Sequence, residues 1–171
     1  MAVLHLLRHA KSDRDQPALA DHERPLNPRG EEAAVAMGRH MARNGVIPDL
    51  ILCSSATRTR QTLDLLVKEL TGSPRIEIEE RLYLASSGQI LRRLRELPEK
   101  AETLLLIAHN PGIHEFAAQL AAASPGALRD RLYQKYPTGA WTSFRLKASW
   151  RNFGAEDAEL LGFVTPAEVK G

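Results

Sequence analysis

Two arginines and two histidines stand at or just beyond the ends of short apolar runs, and that placement is what could give them chemistry. Val3-Leu4-His5-Leu6-Leu7 runs into Arg8-His9. Leu50-Ile51-Leu52-Cys53 runs into Ser54-Ser55, with Arg58 three residues on. Leu104-Leu105-Leu106-Ile107-Ala108 runs into His109-Asn110-Pro111. Short apolar runs alternating with helical patterns read as a parallel sheet, and such sheets bind ligands beyond the carboxyl ends of their strands. Arg8, His9, Arg58 and His109 should therefore converge on one crevice. Guanidinium forks suit phosphate oxygens. A neutral imidazole among them can attack phosphorus in line, giving a phosphohistidine that water then cleaves. Neighbouring arginines favour the neutral ring by disfavouring the imidazolium, and the scheme demands no metal.

The elements that must position these groups follow from caps and periodicity. Asn27-Pro28 opens a helix with Ala33, Met37 and Met41 as its apolar stripe and Gly45 as its stop. A second helix starts near Ser55, carries Leu63, Leu66, Val67 and Leu70, and ends by Gly72. Its free N-terminal N–H groups would draw an anion to Ser54 and Ser55, making these substrate-binding. The competing reading is a capping serine beside an exposed arginine. A short Ile76–Ile78 strand, a helix over Ser87 to Leu97, and a helix capped at Asn110-Pro111 complete the better-patterned part. Beyond Pro125 the pattern weakens. Ala140 to Lys147 alternates as a half-exposed strand would, and Leu160–Val164 reads as a last strand. The sum is a three-layer α/β/α sandwich with a mostly parallel sheet, one domain over residues 1–171.

Composition narrows the function classes. A net charge of +2, with 26% charged residues spread along 171 positions, gives no electrostatic case for nucleic acid. The one basic cluster, Arg92-Arg93 with Arg95, reads as a solvated helix face. No apolar run is long enough to cross a bilayer, no signal peptide is visible and a single cysteine fits a reducing compartment, so a cytoplasmic address is expected. Cys53 lacks an arginine six positions on, because Thr59 stands there, so it reads as a small strand residue rather than a nucleophile. His109 and His114 are five apart, a poor spacing for metal ligands on one helix face. His5, His22 and His40 read as structural or exposed, and Trp141 and Trp150 as packing residues.

The ordered set Arg8-His9-Ala10, Arg24-Pro25-Leu26 with Arg29-Gly30, Ser54-Ser55-Ala56-Thr57-Arg58-Thr59 with Gln61-Thr62, and His109-Asn110-Pro111-Gly112 resembles the histidine phosphatase superfamily. The short length and the Arg-Pro-Leu segment are most similar to its SixA-type phosphohistidine phosphatases. The resemblance implies a phosphoglycerate mutase-like fold without a large lid domain. It implies His9 as the phosphorylated nucleophile, with Arg8, Arg58 and His109 around the phosphate and no cofactor. Arg24 would line the same pocket, or else brace its loop.

Two departures bear on substrate. The usual glycine after the first Arg-His is Ala10. More consequentially, mutase-like members carry a glutamate acid after the third strand, where this chain reads Arg81-Leu82-Tyr83-Leu84-Ala85. Glu79 and Glu80 come early, while Asp13, Asp15, Asp21 and Glu23 are solvated loop charges or substitute acids. An alkoxide leaving group needs a positioned acid, whereas a phosphoramidate can take its proton from water. The expected substrate is thus phosphohistidine on a carrier or phosphotransfer protein. A small phosphorylated metabolite, cleaved by a phosphomonoesterase, and a phospho-ligand binding module with little turnover are the alternatives.

Overall fold

The computed structural model describes residues 1–169. Six strands form one sheet: β1 (Val3–Arg8), β2 (Leu50–Ser54), β3 (Arg75–Glu79), β4 (Thr103–Ala108), β5 (Trp141–Leu146) and β6 (Ala158–Val164). Their order is β3-β2-β4-β1-β5-β6. The first four are parallel, and β5 joins β1 and β6 antiparallel. The expected α/β/α sandwich, with no large lid domain, is thus what the chain forms.

Both faces of the sheet are covered, which explains the unbroken apolar runs. The strand period of two sends Leu4 and Leu6 to one side, Leu7 to the other. The first side packs Leu52, Leu104 and Leu106 against α3 (Ser87–Leu94), α4 (Gly112–Ala121) and α5 (Ala127–Gln134). The second packs Ile51, Leu105 and Ile107 against Met37 and Met41 of α1 (Pro28–Arg43) and Leu63 and Leu66 of α2 (Thr57–Val67). The Asn27 side chain caps α1 by accepting from the Gly30 N–H at 2.8 Å.

Several local expectations need correction. Helix α2 begins at Thr57, after Ala56, with no side-chain cap, so Ser55 lies outside it. Helix α3 ends at Leu94 rather than Leu97, and opens with a Ser86–Gln89 capping box. Helix α4 begins at Gly112, and Asn110 does not cap it; its amide donates to the Tyr136 carbonyl at 3.0 Å. Helix α5 escapes periodicity because Leu132 is its one buried residue. Strand β5 is buried rather than half-exposed, because it lies between β1 and β6. Its polar groups are paired inside: Thr142 donates to the Tyr136 hydroxyl at 2.7 Å, and the Trp141 indole donates to His5 at 3.0 Å. Arg93 is not on a solvated face either. Its guanidinium grips Glu79 at 2.7–3.0 Å and Glu77 at 3.1 Å, while the Arg95 fork reaches the Phe153 carbonyl at 2.8 Å.

Candidate active site

Arg8, His9, Arg24, Arg58 and His109 all line one depression of about 480 Å³ at the carboxyl ends of β1 and β4. The backbone around the nucleophile candidate is held from three sides. The His9 N–H donates to Ala108 of β4, the His9 carbonyl accepts from Gly139 at 2.8 Å, and the Ala10 N–H donates to Thr62 Oγ1 of α2 at 3.0 Å. Thr62 belongs to the Gln61-Thr62 pair of the sequence motif, and this contact gives it a physical purpose.

The His9 ring is 5% exposed, and its Nδ1 lies 2.7 Å from the Ala10 carbonyl oxygen. A carbonyl only accepts, so Nδ1 carries the proton and Nε2 keeps its lone pair. Burial holds the imidazole neutral, pushing its pKa down to about 3, with the charges of Arg58, Arg8 and Arg24 adding to the shift. Desolvation thus outweighs the arginines, to which residue types alone assign the whole effect.

His109 sits beside it, ring centroids 5.3 Å apart. Its Nε2 is 2.7 Å from Ser54 Oγ, which also accepts, at 3.4 Å, from the Ala56 N–H. The Ser54 hydroxyl can donate to Nε2, and in that tautomer the His109 proton sits on Nδ1. That Nδ1 has no partner among the described residues, and neither do Arg8 Nε and Arg58 Nε. Buried donors without acceptors call for one, and three from residues lining one depression suit a tetrahedral anion. Burial, then the repulsion that a protonated His9 would add, likewise lowers His109 to about 3.

Ser54 and Ser55 do not line the depression. Ser54 braces His109, and Ser55 Oγ lies 2.8 Å from His22 Nε2. The helix end was expected to draw an anion to these two serines, whereas their hydroxyls bond His109 and His22. Arg24 stands at the depression and also braces the loop after β1. Its fork holds Ser12 Oγ at 2.8 Å and Asp21 at 3.0–3.1 Å.

Asp21, a loop charge or substitute acid by sequence, and Tyr83 complete this arrangement. Asp21 accepts from Arg58 Nη2 at 3.1 Å, from Arg24 and from the Tyr83 hydroxyl, and its backbone carbonyl accepts from Arg58 Nη1 at 2.8 Å. Tyr83 places its ring edge-on to His109 and beneath the Arg58 guanidinium, 6.0 Å from its centroid. The Tyr83 hydroxyl bond, with Arg58 and Arg24, holds the Asp21 carboxyl well below the usual range, so it is a fixed anion rather than an acid. Asp13 is also lowered, by the Asp15 N–H and Gln16. Burial raises Glu79, but the bonds and charges of Arg93 and Arg81 together lower it, and its carboxylate is occupied by Arg93. Tyr83 occupies the segment where the mutase-like acid would stand, and its phenol is committed to Asp21. His22 packs edge-on to Tyr83 with centroids 4.7 Å apart, so it is structural at the margin of the site.

The Cys53 thiol is fully buried and pushed up to about 12 by burial, which suits a strand residue and not a nucleophile. His114 turns away, its Nε2 2.7 Å from the Leu132 carbonyl. The described residues contain no grouping of three or more His, Cys, Asp or Glu side chains that could hold a metal. No helix among them is long and apolar enough to cross a membrane.

Residues 4–134 match the model of the histidine phosphatase superfamily (branch 1). The chain belongs to that superfamily. By class this superfamily member is a phosphatase. It is 35% identical over 163 residues to an uncharacterized Mycobacterium tuberculosis protein, covering 94% of this chain and 99% of the other. Among solved structures it is similar to a Nakamurella multipartitia protein assigned to the phosphohistidine phosphatase SixA (29% identity, 96% of each chain, TM-score 0.83). An Agrobacterium tumefaciens protein with the same assignment aligns at 25% identity, over 96% of this chain and 98% of the other, with TM-score 0.83. The phosphoglycerate mutase-like architecture expected of this superfamily is therefore established.

Two expected results follow from the packing here. Helix α4 approaches the Tyr83 segment so closely that a Cβ on Gly112 would lie 1.8 Å from the Ala85 carbonyl oxygen. Backbone cannot yield there cheaply, so Gly112→Ala should lose about 3 kcal/mol of stability, the upper range for overpacking. Urea denaturation measures this, and a wild-type midpoint would show that the approach is looser. The second result concerns pH. Folded His5, His9 and His109 refuse a proton until about 3–4, against an ordinary value of 6.5. The unfolded chain then binds more protons within that window, so stability rises with pH from about 3–4 to 6.5 and falls as acid is added. Denaturation midpoints measured across this range should show that slope, and replacing His9 should make it shallower. A flat profile would mean the rings are charged when folded.

Proposed function

We propose that the chain hydrolyses phosphohistidine on a protein through a phosphorylated His9. The observation that carries this reading is the lone pair of a buried, neutral imidazole among guanidinium and imidazole donors, with the Asp21 carboxylate tied to Arg58, Arg24 and Tyr83. His9 Nε2 would attack phosphorus in line, forming a P–N bond as the substrate P–N bond breaks. Arg8, Arg58, Arg24 and His109 Nδ1–H would hold the phosphoryl oxygens as charge develops. The departing imidazole takes its proton from water, so no acid is required. Water then attacks the phosphohistidine on His9 and releases phosphate.

An alkyl phosphate would leave as an alkoxide, and Asp21 is too acidic to protonate it. This favours the phosphoramidate over the phosphomonoester reading. The site residues also exceed what a binding module requires, since a pure anion site has no use for an oriented imidazole lone pair. We read the chain as one histidine phosphatase domain, with a cytoplasmic address consistent with its single buried cysteine. The names of the SixA-assigned relatives point to the same substrate class.

The test compares phosphate release, in the presence of chelator, from a phosphohistidine-bearing carrier protein and from an alkyl phosphate. Fast release from the first and slow release from the second is expected. Preference for the alkyl phosphate would overturn the assignment, and activity lost to the chelator would overturn the metal-free mechanism.

A further inference from the structure

A second cavity of about 430 Å³ adjoins the catalytic depression, and Lys11 and Thr138 line both. Its rim carries four cations: Lys11, Arg29, Arg131 and Lys135. All four are exposed. Arg131 is paired to Glu168 at 2.6 Å, whereas Lys11, Arg29 and Lys135 form no ion pair among the described residues. Between them lies an apolar floor that includes Ala33, Pro137 and Pro166, with the buried Phe163 ring covered by the Arg131 guanidinium at 5.4 Å.

The groove is tied firmly to the nucleophile. Lys11 is two residues beyond His9, and its carbonyl accepts from the Asn27 N–H at 3.0 Å, fixing the start of α1 and thus Arg29 beside it. On the other wall Gly139 adopts φ 77° and donates to both the Arg8 and His9 carbonyls. Pro166 packs where a Cβ at Gly139 would sit, 2.8 Å away, so only glycine lets that wall close against the catalytic turn.

We propose that this basic groove docks an acidic segment of the phosphorylated protein, flanking the histidine that enters the depression. The assignment rests on the phosphohistidine reading above. The cations are spread around a wide apolar floor rather than aimed at one point. A second phosphate of a small metabolite would call for buried, convergent donors, as in the depression itself. Dispersed exposed cations around an apolar floor suit glutamate and aspartate side chains bracketing an apolar residue. Complementary rim charges of this kind act on encounter and specificity, and their effect weakens with salt.

The experiment uses two synthetic histidine peptides phosphorylated with phosphoramidate, one with glutamates flanking the histidine and one with glutamines, and free phosphohistidine as the small substrate. For the native chain, kcat/KM on the glutamate peptide should exceed that on the glutamine peptide by roughly tenfold at low salt, an advantage that added salt erodes. In the double variant Arg29→Glu with Lys135→Glu the advantage should vanish, while release from free phosphohistidine stays at the native rate. That unchanged rate also reports an intact fold. Equal rates on the two peptides with the native chain, or an advantage that survives charge reversal, would overturn the docking surface and leave the phosphohistidine reading standing. No release from any of the three substrates by the native chain would overturn that reading, and the docking assignment with it.

Discussion

Replacing His9 by alanine should abolish turnover, lowering kcat by at least ~10³-fold, because the covalent route disappears with its nucleophile. The fold should survive. The His9 side chain makes its one hydrogen bond to the neighbouring Ala10 carbonyl, and the backbone bonds to Ala108, Gly139 and Thr62 involve main-chain atoms that alanine retains. The variant should therefore keep its circular dichroism spectrum and still bind inorganic phosphate through Arg8, Arg58 and His109. Alanine also removes a buried imidazole that must stay neutral, so acid stability should improve slightly, consistent with the pH argument above. A His9→Ala chain that releases phosphate at the native rate would remove the mechanism altogether.

Arg58→Ala should be the next most damaging change, raising the barrier by about 2–4 kcal/mol, the scale for losing a central charge donor. Arg58 is 3% exposed, and its position is fixed twice: through the Asp21 backbone carbonyl and through the Asp21 carboxylate. Such a guanidinium needs no reorganisation when phosphoryl charge develops. A loss confined to kcat, with KM little changed, would mean the fork acts mainly in the transition state. The truncation also leaves the Asp21 carboxylate short of a partner, so part of any stability loss belongs to Asp21. Arg58→Lys separates the two effects, since it keeps the charge and loses the planar fork. Activity should recover only partly in that variant. Native kcat/KM in Arg58→Ala would remove this arginine from the site.

The parts of the site that were legible in the sequence are those fixed by strand ends. Arg8, His9 and His109 close short apolar runs that, alternating with helical patterns, read as buried parallel strands, and parallel strands bring their last residues to one edge. Arg58 was legible because a helix had to begin just before it. Asp21 and Tyr83 were not, because their meeting depends on how two loops 62 residues apart pack over Arg58. Nothing local distinguishes Asp21 from Asp13 and Asp15 nearby. Tyr83 carried one signal: it stands in the segment where related enzymes would place an acid. Ser54 and Ser55 stand at a strand end as the pattern implies, but their hydroxyls bond His109 and His22, because a hydroxyl there can as well orient a histidine as touch a ligand. Strand β5 misled for a related reason. Its polar alternation implies solvent, yet Thr142 and Trp141 meet their hydrogen-bonding needs inside the protein. Arg93 shows the same limit, because the glutamates that bury it come from β3, across the chain from its own helix.

The central claim is a covalent phosphoryl group on His9, and rapid quenching tests it most directly. The native chain is mixed with a phosphohistidine-bearing carrier protein, stopped in alkali within the first turnover, and mapped by mass spectrometry. A phosphoryl group is expected on His9, lost on acid treatment as a P–N bond should be, forming and decaying at rates that support turnover. Phosphate release with no label on His9, or label on another residue, would contradict it.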